Sequence, residues 1–389
     1  MRKPHKVISK KLIVVGVFAF IIAALSLLKF IPFISEYVFS RGISRAYVFV
    51  ISSITGQLPF SVYEILFILL IVSIFLLIIK WTYLISQKRD FYFFKSVLNT
   101  FIVVMCILCI YTITSSMSYK REPLSLPQYN GEVLENDDFE EMMIYYLEDF
   151  RNISAAVDRD MNGIVKQPFD YNGLNHKLML EYERIGTFDG FLSSFTPQVK
   201  KIYFSKIMSY QGVAGIAITP TGEANVNRFL PTNGKVLTMA HELAHIKGVM
   251  NENEANMLSY YLTITSSDIY IKYAGYMRTM PRLMNAAYLT LDEETYNMLY
   301  DIYPEKALEE LREEYEFWDD YDSIVDKISN FFNDLYLKMS GVPEGVDSYR
   351  DIGETEITID PDTGETEYRI IEYSPLQKMY IQLFLDKDI

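Results

Sequence analysis

The chain of 389 residues is longer than one average domain and half hydrophobic, with 30 Tyr, 25 Phe and only two Cys. That composition excludes a disordered, collagen-like or disulfide-built protein. The net charge of −14 is unevenly divided: residues 1–114 carry 12 Lys/Arg against 3 Asp/Glu, whereas 115–389 carry 24 against 47. A basic, apolar front joined to an acidic, aromatic-rich back reads as a membrane protein with a water-facing domain. An acidic domain of that size excludes nucleic acid as a partner, which needs a positive footprint.

Three apolar runs lie in the first third, at about 12–28, 62–79 and 97–113, and each is expected to cross the bilayer as a helix. The first is closed by Lys11 and Lys29, whose long side chains can snorkel to the interface. No small-x-small cleavage site follows it, so an anchor is expected in place of a removed signal peptide. Between the first two runs, Ile34–Ile54 mixes aromatics, Ser and two Arg, and is expected to form an interfacial helix ending at the Gly56…Pro59 break. Cys106 and Cys109 form a C-x-x-C inside the third run, where Cys serves as a small apolar residue and not as a redox or metal motif.

Positive charge clusters at the N-terminus (Arg2, Lys3, Lys6, Lys10, Lys11) and between the second and third runs (Lys80, Lys88, Arg89, Lys95). The positive-inside bias then places the N-terminus in the cytoplasm and everything after about Ser115 outside the cell membrane. A membrane domain of 1–114 is followed by a Pro-rich linker at 115–135, an outer domain at 136–350 and an extension at 351–389. From Asp137 the residues Phe139, Met142, Met143, Tyr146 and Leu147 recur at helical spacing. Val213–Thr219 is expected to be a short strand or hairpin, and a long helical run starts near Pro231. Its acidic section, Glu305–Asp326, reads as a solvated helix face. Glu356–Ile371 alternates around the turn signal Asp360-Pro361-Asp362-Thr363-Gly364, a hairpin followed by a last helix. The acidic turn lacks the ligand spacing of a calcium loop.

Two of the four histidines fall in His241-Glu242-Leu243-Ala244-His245. Thr232 or Asn233 can cap a helix through this stretch, and Gly248 can end it at a left-handed position. His241 and His245 then share one face, so both imidazoles reach one zinc ion. Glu242, displaced about the axis, reaches a water activated by that metal and serves as general base. A third ligand is expected from Glu252, with Glu254 as the alternative. Asn251 is a good N-cap for the next helix, which gives Glu254 a capping-box role and leaves Glu252 for the metal. Asn256, one turn after Glu252, is placed to orient a ligand from behind. In the segment before the metal helix, Asn225 and Asn227 are candidates for a strand that pairs with an extended substrate. Tyr210, Tyr260, Tyr273 and Tyr276 are possible oxyanion donors, although packing explains tyrosines in a chain so rich in them. His176 is isolated and expected at the surface.

His241–His245 followed by Glu252-x-x-Ala255-Asn256 resembles the gluzincin metallopeptidases, whose HExxH helix is completed by a glutamate in an E-x-x-[AS]-[DN] pattern. The resemblance implies two His and one Glu as zinc ligands and the HExxH glutamate as general base. Asn256 stands where that family usually has Asp, and the gap from His245 to Glu252 is far shorter than in typical gluzincins. The wider chain resembles a bacterial membrane family built on a domain of unknown function, with three N-terminal spans and an outer zincin-like domain. The matching segments are Pro59-Phe60-Ser61, Met208–Gly212, Gly222–Asn227, the HELAH helix and Asn333–Lys338, with the hairpin after Asp351 as an addition. The implied fold is three transmembrane helices plus a mainly α (α+β) zincin-like extracytoplasmic domain with a small sheet. Two functions follow as expectations: a membrane-anchored zinc metallopeptidase acting on peptide or protein, or a non-catalytic zincin-fold sensor or scaffold. An intramembrane protease is excluded, because Thr232, Asn233, Gly234 and Lys235 make the approach to the motif polar.

Overall fold

The structure is a computed structural model that describes residues 4–124, 136–186, 195–321, 324–340, 354–359 and 366–385. It is mainly helical. The membrane part comprises α1 (Pro4–Leu28), a π-helical segment Ile34–Ser44, α2 (Arg45–Thr55), α3 (Val62–Ser86) and α4 (Asp90–Thr114). Three of these, Lys6–Leu28, Val62–Ser86 and Asp90–Thr114, are long and apolar enough to cross a membrane. At about 1.5 Å per residue, a helix of 25 residues reaches roughly 37 Å, more than the hydrocarbon core needs. The apolar side chains of α3 point outward all round, including Leu66, Phe67, Leu70 and Phe75, the pattern of a helix that spans a membrane or is buried in a larger assembly. The spans outrun the apolar runs in the sequence because helix continues through polar ends: Ser61 Oγ accepts from Glu64 N–H at 3.3 Å and starts α3 at its first apolar residue. Cys106 and Cys109 lie within α4 as free thiols.

The segment Ile34–Thr55 is amphipathic with its polarity reversed. Ser35, Ser40, Ser44, Ser52 and Thr55 are buried, while Tyr37, Ile43, Phe49 and Ile54 are exposed. Each buried hydroxyl is satisfied: Ser35 bonds Met117 O at 2.6 Å, Ser52 bonds Gly222 O at 2.7 Å and Thr55 bonds Thr221 O at 3.1 Å. Ser116–Lys120, expected within a linker, is a 3-10 turn with Met117 and Ser118 buried against this segment. Residues 125–135 of that linker lie outside the described residues.

The C-terminal domain continues with α5 (Asn136–Ala156), α6 (Tyr171–Ile185), β1 (Lys200–Ile202), α7 (Ser205–Tyr210), β2 (Gly215–Ile218) and β3 (Glu223–Asn227). Then follow α8 (Thr232–Ile246), α9 (Glu252–Ile264), α10 (Ile269–Thr290), α11 (Glu293–Ile302), α12 (Glu305–Asp319) and α13 (Ile324–Ser340). The chain ends in β4 (Glu354–Ile359), β5 (Thr366–Glu372) and α14 (Pro375–Leu385). The first three strands form one sheet in the order β1-β3-β2, parallel between β1 and β3 and antiparallel between β3 and β2. β4 and β5 pair as the expected hairpin; its turn, 360–365, lies outside the described residues.

The helical spacing of α5 buries Phe139, Met142, Met143, Tyr146 and Leu147 completely. Tyr146 packs against Tyr276, tilted, and Tyr380, edge to face, at ring distances of 4.8 and 5.3 Å, and Tyr380 donates to Thr279 Oγ1 at 2.9 Å. Because Leu376, Met379 and Tyr380 of α14 are wholly buried in this core, the C-terminal helix is part of the domain's packing and not an appendage after residue 351.

The domain is joined to the second span by buried charge. Lys200 Nζ donates to Glu223 Oε1 at 2.9 Å and to Phe60 O at 2.9 Å, and Glu223 accepts Val62 N–H and Tyr63 N–H, each at 2.9 Å. At the same helix start, Glu64 accepts Tyr203 N–H and Phe204 N–H at 3.0 and 2.7 Å. Glu223 and Glu64 thus place negative charge at the positive N-terminus of α3.

Candidate metal centre

Helix α8 begins after Pro231, which stands at the N-cap with extended ψ of 153° and no side-chain cap. The expected cap residue Asn233 instead turns inward, and its Nδ2 donates to Glu310 Oε2 at 2.9 Å. Glu310 also pairs with Arg159, so one acidic residue of α12 is buried where a solvated face was expected. The end of α8 follows its glycine: Gly248 has φ +95°. Gly248 N–H bonds His245 O at 2.9 Å and Val249 N–H bonds Ala244 O at 3.0 Å, a Schellman turn. Asn251 then caps α9 by accepting Glu254 N–H at 3.2 Å. Only 247–251 separates the two helices, so the first residue of α9 returns beside the last turns of α8.

The result is a cluster. Glu252 Oε2 lies 3.1 Å from His241 Nε2 and 3.5 Å from His245 Nε2, and the two rings meet edge to face at 4.5 Å. Among the described residues these three form one group whose ligand atoms all lie within 4.8 Å of one another. The Schellman turn also fixes a tautomer: His245 Nδ1 donates to Val249 O at 2.8 Å. In the neutral ring, Nε2 is then a lone pair facing a carboxylate oxygen, and two acceptors in that position need a cation between them. Two imidazole nitrogens and one carboxylate oxygen suit zinc, so the residues present fit the metal.

The protonation chemistry agrees. Burial pushes the His245 pKa down, but the Glu252 carboxylate outweighs it and raises the value from 6.5 to about 9. Burial pushes Glu252 up, and the two histidines outweigh it, so its carboxyl is held well below the usual range. These shifts are two sides of one interaction. The raised His245 pKa stabilises the metal-free fold fully below about pH 6.5, and that contribution is lost as the pH rises through about 9. Metal binding requires the neutral ring. Calorimetric titration of zinc into the metal-free full-length protein at pH 7, in two buffers of different ionisation enthalpy, is expected to show release of about one proton per zinc. No proton release would contradict the assignment of His245.

Glu242 is buried beneath β2. Its carboxylate accepts the Ala217 N–H, and burial raises its pKa despite the two neighbouring histidines. Gly215 makes this approach feasible: a Cβ there would stand 2.6 Å from Glu242 Oε1 and from Thr238 Cγ2.

Glu254 lies outside the cluster. It is ion-paired with Arg121, a buried residue that the sequence placed in a linker, so the expected capping box is made only in its Asn251 half. Among the described residues, the buried His241 Nδ1 has no hydrogen-bond partner, so Asn256 does not hold that ring. Asn225 and Asn227 require a correction as a substrate-pairing strand. Both are fully buried in β3, the central strand, whose two edges are occupied by β1 and β2. Asn227 instead braces the sheet, with its Nδ2 on Ser209 Oγ at 2.9 Å and its Oδ1 accepting Phe229 N–H at 3.0 Å. The edge strand beside Glu242 is β2. Of the four tyrosines, Tyr260, Tyr273 and Tyr276 are core residues, whereas Tyr210 is exposed and packs on Tyr321. His176 is exposed.

Three apolar helices of membrane-crossing length joined to a helical domain define a membrane protein. The chain belongs to the family described as "Protein of unknown function (DUF3810)", which matches residues 39–354 and so includes two of the spans, the sheet and the metal cluster. No curated protein and no solved structure matches the chain.

Proposed function

We propose that this protein is a membrane-anchored, zinc-dependent metallopeptidase with a zincin-like domain, hydrolysing peptide bonds in peptides or proteins on the outer side of the cytoplasmic membrane. The observation that carries this reading is the convergence of His241, His245 and Glu252, with Glu242 next in the chain to a ligand. Bound zinc supplies Lewis acidity toward a carbonyl and lowers the pKa of a water molecule. Val249 and Glu252 keep the His245 ring in one orientation and one tautomer. Glu242, with its pKa raised by burial, is suited to take a proton from water and return it to the leaving amine. The edge of β2 that is unpaired among the described residues is the place where an extended peptide would add its backbone to the sheet beside Glu242. Placement on the outer side rests on the basic N-terminus and the basic Lys80–Lys95 loop.

One observation favours a second reading, a non-catalytic zincin-fold sensor or scaffold: Glu242 is only 6% exposed and its carboxylate is engaged by β2. Hydrolysis of a mixed peptide library by the full-length protein separates the two. Cleavage that stops on chelation and returns with zinc supports the peptidase; intact peptides in the presence of bound zinc support the scaffold.

A further inference from the structure

The strand beside Glu242 ends on the membrane part. Thr219, the residue after β2, donates to Thr114 Oγ1 at 3.1 Å and shares a hydrogen bond with Ser115 Oγ, and Thr114 is the last residue of α4. In the same turn the Tyr47 hydroxyl donates to Pro220 O at 2.8 Å and Ser52 Oγ to Gly222 O at 2.7 Å. The other side of the cluster is tied down in the same way, because Glu254, two residues after the ligand Glu252, pairs with Arg121 close beyond the end of α4.

These ties fix a height above the bilayer. The helix Asp90–Thr114 is roughly 37 Å long at about 1.5 Å per residue, about 7 Å more than the hydrocarbon core, so Thr114 stands in the headgroup layer. From Thr219 back to Ala217, whose N–H Glu242 accepts, is a further 7 Å or so of strand. With the hydroxyl contact included, the β2 edge beside Glu242 lies within roughly 20 Å of the hydrocarbon, the reach of about six extended residues. A folded domain roughly 30 Å across meets the headgroups before it can centre itself at that height. An extended chain leaving the bilayer passes the edge directly. We infer, resting on the peptidase reading above, that the polypeptide taken at the β2 edge is a membrane-anchored one, engaged and cut within the first few residues outside its anchor.

The test places the full-length, zinc-loaded chain in phosphatidylcholine bilayer discs with randomised peptides of about 30 residues, each held by two acyl chains at one end or the other. Cut positions are mapped by mass spectrometry, counting only cuts absent with Glu242→Gln. Effective concentration falls as about the −3/2 power of tether length, so cuts about 5 residues from the anchor should outnumber those about 25 residues away roughly tenfold. A second readout needs no turnover: in Glu242→Gln protein, photoreactive benzoylphenylalanine at Ile216, a half-buried residue of β2, should cross-link the same first residues of the anchored peptide. Cuts and cross-links spread evenly along the chain, or no preference over the same peptides without acyl chains, would overturn the inference and leave the peptidase reading standing. Cross-links near the anchor with no cut by the wild type would support the recognition of an anchored chain and sink the peptidase reading. Neither cut nor cross-link would sink both.

Discussion

Glu242→Gln is expected to keep the zinc and the fold while lowering peptide hydrolysis by about 10²–10⁴-fold, the usual contribution of a general base. The substitution is nearly isosteric, and an amide oxygen can still accept the Ala217 N–H beneath β2. It removes a carboxylate beside the cluster that does not belong to it, since His241, His245 and Glu252 supply the ligand atoms. The informative comparison is with His245→Ala, which removes a ligand. If both variants lose hydrolysis and only His245→Ala loses zinc, proton transfer at residue 242 is the function. If Glu242→Gln hydrolyses as wild type does, the general-base assignment is wrong.

Lys200→Met is expected to destabilise the full-length protein by about 3–5 kcal/mol, the cost of leaving a buried charge without its partner. Glu223 is 1% exposed and would keep only the Val62 and Tyr63 N–H groups. The carbonyl of Phe60, at the break between α2 and α3, would lose its donor as well. The damage falls at the junction of the sheet with the second span, so the domain should loosen from the membrane helices before its own core opens. Urea unfolding in detergent micelles measures the total loss, and limited proteolysis near Gly56–Ser61 reports where it begins. A loss below about 1 kcal/mol would mean that water replaces the pair and that the junction is not buried in the membrane-embedded protein.

What was legible in the sequence was local. The three spans announce themselves because a charge-free apolar run has few alternatives, and the metal helix is readable because His241, His245, Gly248 and Asn251 act within one or two turns of one another. The reversed polarity of Ile34–Thr55 was hidden: serine is compatible with either side of a helix, and only Met117, Gly222 and Thr221, far along the chain, make its burial favourable. Partners distant in sequence were equally hidden. Arg121 meets Glu254 across 133 residues and Arg159 meets Glu310 across 151, and no local pattern encodes either pair. The substrate-strand expectation for Asn225 and Asn227 failed for a related reason. β1 is only three residues long and pairs in parallel, so nothing in the sequence marks β3 as the strand with both edges taken.

The most direct measurement is the zinc content of the full-length protein, purified with zinc and passed through a mild chelator, for wild type beside Glu252→Gln and Glu254→Gln. One zinc per chain is expected in the wild type and in Glu254→Gln, whose carboxylate serves Arg121, with a clear loss in Glu252→Gln, whose oxygen lies against both histidines. A wild-type chain that retains no zinc, or a loss greater in Glu254→Gln than in Glu252→Gln, would contradict the metal centre.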